Sequence, residues 1–199
     1  MIGNYDPKFI LGFSNHFQYK NFDLNISLDG RFGGLMYSWT EQALWNSGAH
    51  PDSDNKWRYD EVVNGKQNYI GNGVKVVSGS AKYDPYGKVL EDTRVFAPND
   101  VQVSYQNYIQ NYNANPWDHQ ALHNIKDATF IKLREVALNY SMPTSIVNKL
   151  SMKKLSFGII GQNLLLWTKE FKFSDPDRGL ENLNSPTQRY IGFNINVTL

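Results

Sequence analysis

The sequence contains no cysteine, which removes disulfide staples, thiolate nucleophiles and cysteine-based zinc sites together. It leaves the compartment open. Long apolar runs are missing too. A membrane-spanning helix needs about 18 or more apolar residues in succession, and the longest cluster here, LLLW at Leu164 to Trp167, is far too short. Charge of one sign is also lacking: 20 Lys and Arg stand against 19 Asp and Glu, a formal net charge of +1. Nothing in that balance points to nucleic acid. The start, MIGNYDPKF, has neither a basic n-region nor an apolar h-region, so no signal peptide is expected.

Catalytic signatures are equally scarce. No nucleophile elbow, phosphate-binding loop or dinucleotide fingerprint occurs, and no cofactor is implied. His119 and His123 are spaced to share one helix face, but they lack an intervening glutamate and a third ligand, so no metal centre is expected. Asp52 and Asp54 in HPDSDNKW lack the glycine and closing glutamate of a calcium loop. Asp175 and Asp177 in FSDPDRG form an acid pair whose plainer reading is an Asp-Pro turn. The chain is not expected to be an enzyme.

What the sequence does have is aromatics and alternation. Tyr (12), Phe (11) and Trp (5) make up 14% of the residues. The mean hydropathy of −0.52 with 41% hydrophobic residues suits an ordinary soluble domain. It equally suits a β-barrel, in which only every second strand residue meets lipid. In FILGFSNHFQY the odd positions Phe9, Leu11, Phe13, Phe17 and Tyr19 are apolar, with Asn15 the exception. After Lys20-Asn21, FDLNISLDGRF puts Phe22, Leu24, Ile26, Leu28 and Phe32 on one face and polar residues on the other. A two-residue turn pairs Tyr19 with Phe22, Phe17 with Leu24 and Phe13 with Leu28, so both apolar sets share a face.

Three further strands are expected. In ATFIKLREVALNYS, Val136, Leu138 and Tyr140 are in phase, whereas Ile131 and Leu133 are out of phase. This predicts either a bulge near Arg134 or cover on both faces. KLSFGIIGQNLLLW carries Leu155, Phe157, Ile159, Leu165 and Trp167 on alternate positions, and YIGFNINVTL alternates through Ile191, Phe193, Ile195, Val197 and Leu199. The strands are thus expected near residues 9–19, 22–33, 128–141, 153–167 and 188–199. Their connections alternate between short (Lys20-Asn21 and the segment around Pro143) and long (34–127 and 168–187).

The longer connection should carry structure of its own. Tyr105, Tyr108, Ile109 and Tyr112 have helical spacing, with Asn99 or Asp100 available as a cap, and Met36, Trp39 and Ala43 make a weaker second case. VNGK, GNG and DPYGK read as turns. Trp39, Trp45, Trp57, Tyr59 and Trp117 all fall in this insert. Such rings are platforms for sugar rings or peptide side chains. The plainer reading is that they form the insert's own small core.

Antiparallel two-sided strands fit either a soluble sandwich, whose apolar face meets a second sheet, or an outer-membrane barrel, whose apolar face meets lipid. Alternating short and long connections and strand lengths of about 9 to 11 residues favour the barrel. The fold expected is therefore all-β, an antiparallel transmembrane β-barrel segment of about five C-terminal strands with a long, partly helical extracellular insert. The alternative is a soluble β-rich carbohydrate-binding module.

Several blocks resemble one family. IGNYDPKFILGFSNHFQYKNFDLNISLDGRFGG, DATFIKLREVALNYSMPTSIVNKLSMKKLSFGIIGQNLLLWTK, FSDPD and RYIGFNINVTL are similar, in order, to the C-terminal part of SusC/RagA-type TonB-dependent outer-membrane receptors. The insert from Leu35 to Asn124 is matched only loosely. The resemblance implies a plugged barrel of about 22 strands, of which this chain would be the last five without plug or TonB-interacting segment. It implies location in the outer membrane of a Gram-negative, Bacteroidetes-like cell. It also implies import of oligosaccharide or peptide fragments, with a SusD-like surface lipoprotein and the TonB complex as partners. By the same resemblance, Ile191, Phe193, Ile195, Val197 and Leu199 form the signal read by the barrel-assembly machinery, and 34–127 and 168–187 lie outside the cell.

Overall fold

The computed structural model describes residues 3–113, 119–178, 181, 183, 185 and 187–199. The chain divides into two compact units, one of Met1–Glu41 with His123–Leu199 and one of Gln42–Leu122. In chain order the strands are β1 (Phe9–Tyr19), β2 (Phe22–Phe32), β3 (Leu35–Tyr37), β4 (Tyr69–Ile70), β5 (Val74–Ser78), β6 (Ala81–Tyr83) and β7 (Val89–Asp92). They continue as β8 (Val95–Pro98), β9 (Gln102–Val103), β10 (Ile125–Asp127), β11 (Phe130–Ser141), β12 (Lys154–Thr168) and β13 (Tyr190–Thr198). The helices are α1 (Trp39–Ser47), α2 (Lys56–Asn64), α3 (Tyr105–Tyr108) and α4 (Thr144–Val147).

The first unit is built on a five-stranded antiparallel sheet in the order β1-β2-β11-β12-β13. It is open: among the described residues the sheet does not close on itself. The β1–β2 hairpin has the register that alternation requires, with Tyr19 opposite Phe22, Phe17 opposite Leu24 and Phe13 opposite Leu28. Leu24 lies opposite Leu138 and Ile26 opposite Val136, which carries the same face into β11. Leu138 faces Ile159, and Ile159 faces Phe193, which carries it across β12 to β13.

The change of phase in β11 is a bulge. Register slips between Leu133 and Glu135 against both β2 and β12, and the extra residue is Arg134. An added residue rotates everything beyond it by one position. Ile131 and Leu133 therefore rejoin the apolar face, opposite Gly30 and Leu28.

Among the described residues of this unit nothing covers that apolar face. Phe13 is 55% exposed, Ile159 51% and Phe193 80%. The buried apolar cluster of this unit is small, made of Met36, Ala128 and Phe171. It sits where β2 turns into β3 through Gly33 and Gly34, at φ 78° and 84°. A Cβ on Gly34 would stand 2.5 Å from the Tyr5 carbonyl oxygen, so this corner admits only glycine. Met36 thus belongs to β3 and the cluster, whereas Trp39 and Ala43 do share a helix, α1.

The second unit is made of short pieces. Asn55 caps α2 by accepting from the amides of Trp57 and Arg58, and Gly65 closes it in the left-handed region at φ 64°. A ribbon follows, with β4 paired to β9, β5 to β8 and β6 to β7. Its tip is DPYGK, where the Gly87 amide donates to the Asp84 carbonyl at 3.0 Å. The tyrosine-spaced helix is shorter than expected: α3 has 4 residues and passes into a π turn at Ile109–Asn113. Its cap is Ser104, which directly precedes the first turn. Asn99 and Asp100 are engaged elsewhere, with the Gly71 carbonyl and Lys75.

Candidate functional site

The face of the sheet opposite the apolar one is polar and internally bonded. Ser14 and Ser27 hydroxyls lie 3.2 Å apart, His16 Nδ1 is 2.7 Å from Asn25 Oδ1, and Gln162 donates to Glu135 at 3.1 Å. These residues and Arg134 border an open basin of about 640 Å³. Gly158 sits between Asn139 and Asn194 in register. A Cβ there would fall 2.1 Å from one Asn Oδ1 and 2.3 Å from the other, so the two amides occupy the space that a side chain would need.

The densest chemistry lies where the bulge turns Arg134 onto this face. Its guanidinium forks onto Asp29, with Nε to Oδ1 at 2.7 Å and Nη2 to Oδ2 at 2.6 Å. It also reaches Asp177 Oδ1 at 2.6 Å. Two residues earlier Lys132, only 1% exposed, donates to Asp175 at 2.8 Å, Asp177 at 2.9 Å and the Thr187 hydroxyl at 3.0 Å. A buried ammonium is tolerated only with such partners. Burial alone would raise the pKa of Asp175, but hydrogen bonds from Lys132 and Thr187 overcome it and hold the carboxyl below the usual range. Asp177 is likewise held low against burial by Arg134 and Lys132. The acids of FSDPD are thus counter-ions to two cations, and not a pair acting on each other.

The insert carries a separate pocket of about 260 Å³, lined by Trp45, Arg58, Glu61, Tyr105, Gln106 and Ile109 among others. Both charges are already committed. Arg58 donates to the Gly48 carbonyl at 2.6 Å, and Glu61 accepts from the Tyr105 and Gln106 amides at 2.6 and 3.1 Å. Trp45 stacks on His50 with centroids 3.9 Å apart.

The other aromatics singled out from the sequence do not converge on this pocket. Trp57 meets Tyr69 edge-on at 5.8 Å, and Tyr69 contacts Tyr105 at 5.1 Å and Tyr108 at 4.7 Å, with Tyr112 stacked beyond. Burial raises the Tyr108 phenol to about 12. Tyr59 projects from α2, 60% exposed. Trp39 belongs to the first unit, edge-on to Tyr37. Trp117 and the side chain of His119 lie outside the described residues. Among the described residues no three His, Asp or Glu side chains cluster as a metal site. Arg58, Glu61, Lys132 and Arg134 were not flagged by sequence; the only signal was the break in alternation at Arg134.

Comparison with known proteins follows the same line. No protein-family model matches the chain. The TonB-dependent receptor P3 of Formosa agariphila is 23% identical over 185 residues, covering 93% of this chain and 14% of that protein. The structure of the RagAB peptide transporter matches at TM-score 0.57 and 17% identity, over 98% of this chain and 17% of that one. The RagAB peptide importer in its 'closed-closed' state matches at TM-score 0.57 and 16% identity, over 98% of this chain and 18% of that one. At these identities the solved structures speak for the fold alone. By their names these proteins are a receptor and peptide importers. Sequence and fold agree that this chain is similar to a segment of SusC/RagA-type TonB-dependent receptors.

Proposed function

We propose that the chain is the C-terminal wall of an outer-membrane β-barrel in a TonB-linked importer of peptide or glycan fragments. One observation carries this reading. Five strands present a continuous apolar face that is mostly exposed, while the opposite face buries ions. Apolar patches of such breadth are rare on soluble monomers, whereas lipid covers them on a barrel. The polar face then borders the lumen, and the free edges of β1 and β13 meet neighbouring strands of the same wall. A soluble carbohydrate-binding module would need a second layer over Phe13, Ile159 and Phe193.

In this reading 34–127 and 168–187 are extracellular, and Lys20–Asn21 and Met142–Met152 face the periplasm. A SusD-like surface lipoprotein would cap the outer side, the TonB complex would act through parts of the protein beyond this chain, and the barrel-assembly machinery would read Ile191, Phe193, Ile195, Val197 and Leu199. Substrate contacts fall to the insert aromatics Trp39, Trp45, Trp57, Tyr59 and Trp117, of which Trp45 lines a pocket. Labelling tests this directly, because this chain contributes no cysteine of its own and any cysteine elsewhere in the full-length protein can be replaced by serine. Tyr86→Cys, at the ribbon tip, and Lys149→Cys, between β11 and β12, are introduced into the full-length protein in intact cells. A membrane-impermeant maleimide should modify position 86 at once and position 149 only after the outer membrane is opened. Equal labelling of both in intact cells would reject the topology.

A further inference from the structure

The described residues of the connection after β12 are held at several points, where loops are ordinarily mobile. It leaves the sheet with the Lys169 amide donating to the Thr129 carbonyl at 3.0 Å and Glu170 accepting from the Asp127 amide at 2.6 Å. Phe171 then enters the buried cluster with Met36 and Ala128. Next come Asp175 and Asp177, clamped by Lys132 and Arg134, with the Asp177 amide closing back on Asp175 Oδ1 at 3.0 Å. Further along, the buried carboxylate of Glu181 accepts from the Thr40 amide at 2.9 Å and from the Thr40 hydroxyl. Thr40 is in the first turn of α1, where amides lack helical partners and attract negative charge. Thr187, which bonds both Asp175 and Lys132, fixes the far side.

Two kinds of anchor therefore sit close together in the chain. One grips the polar face of the sheet at Lys132 and Arg134, and the other caps the helix that opens the insert. We propose that the described residues of 169–187 form a strap that couples the polar face of the sheet to the first turn of α1, so that Asp175, Asp177 and Glu181 are positioning residues for that turn. The strap is a fixed coupler, and its anchors are the ion pairs and the cap. This role is independent of lipid and of transport, so its failure leaves the reading of the sheet untouched.

The test is amide hydrogen exchange on the full-length protein in detergent, following peptides from the strap, from the start of α1 and from β12. Glu181→Ala should speed exchange at Thr40 to Ala43 and leave the Asp175–Asp177 stretch protected. Asp177→Asn and Arg134→Gln should speed exchange in the strap and also at Thr40 to Ala43, by about ten- to a hundredfold, as expected for losing a hydrogen bond to a charged group. Protection in β12 should persist in all three. Arg134→Lys, which keeps the charge and loses the fork, should give the same pattern at a smaller factor and serves if the stronger variants do not fold. A loosened strap with an unchanged α1, or an unchanged strap in Asp177→Asn, would overturn the proposal.

Discussion

Ile159 and Lys132 are set on opposite faces of one sheet, and their surroundings are the reverse of what water would select. The isoleucine is 51% exposed and the lysine 1%. On the apolar face, Phe17, Leu24, Leu138, Ile159 and Phe193 follow one another across the strands, with no second layer among the described residues of the first unit. On the other face, two cations and three carboxylates from β2, β11 and the strap satisfy one another. The lesson is that polarity alone does not decide which side of a sheet is buried: here the apolar side stays exposed and the polar side supplies the packing through ions that satisfy one another.

The comparison breaks most visibly at Lys132. Lys132→Met leaves Asp175 and Asp177 short of a buried partner and should cost about 3–5 kcal/mol, read from the denaturant midpoint of the full-length protein in micelles. A second probe of the same cluster is pH. Both acids have pKa values below the ordinary carboxylate range in the fold, so their contribution is complete above the unfolded value of about 4. It is lost as pH falls through the lowered folded values. Strap protection in hydrogen exchange should thus be flat from neutral pH to about 4 and decline only in stronger acid. A decline centred near neutrality would show that the acids are not held low.

A sharper contrast comes from placing one charge on each face. Ile159→Arg should cost about 2–4 kcal/mol if the side chain meets the hydrocarbon midplane, whereas His16→Arg on the polar face should stay within about 0.5 kcal/mol. Equal costs in a lipid-reconstituted unfolding series would abolish the distinction between the faces. An effect between these two is expected at Gly158, where Ala would push apart the Asn139 and Asn194 amides. An overpacking cost of about 1–3 kcal/mol is expected, relieved toward its lower bound by Asn194→Ala in the same chain.

Legibility followed the range of the interaction. The β1–β2 register could be read because a two-residue turn and alternation leave one solution. The bulge at Arg134 could be read because it reverses the phase within a single strand. In the insert, α2 escaped notice although Asn55 and Gly65 flank it, since its apolar residues show no clear period. The spacing of Tyr105, Tyr108 and Tyr112 was genuine, but ring contacts and a π turn replaced a long helix. The acid pair of FSDPD was visible and its partners were not: Asp177 finds Arg134 at 43 positions' distance, and Arg134 finds Asp29 at 105. Local pattern carries no record of pairings that distant.

The single surplus residue at position 134 also works as punctuation. Deleting it would turn Lys132 to the apolar face and bring Leu133 and Ile131 to the polar one, rewriting half a strand while altering no other letter. A sequence that differs in length by one at this point would keep every face assignment on one side of it and invert every one on the other, and an alignment that ignores the insertion would compare opposite faces of the sheet.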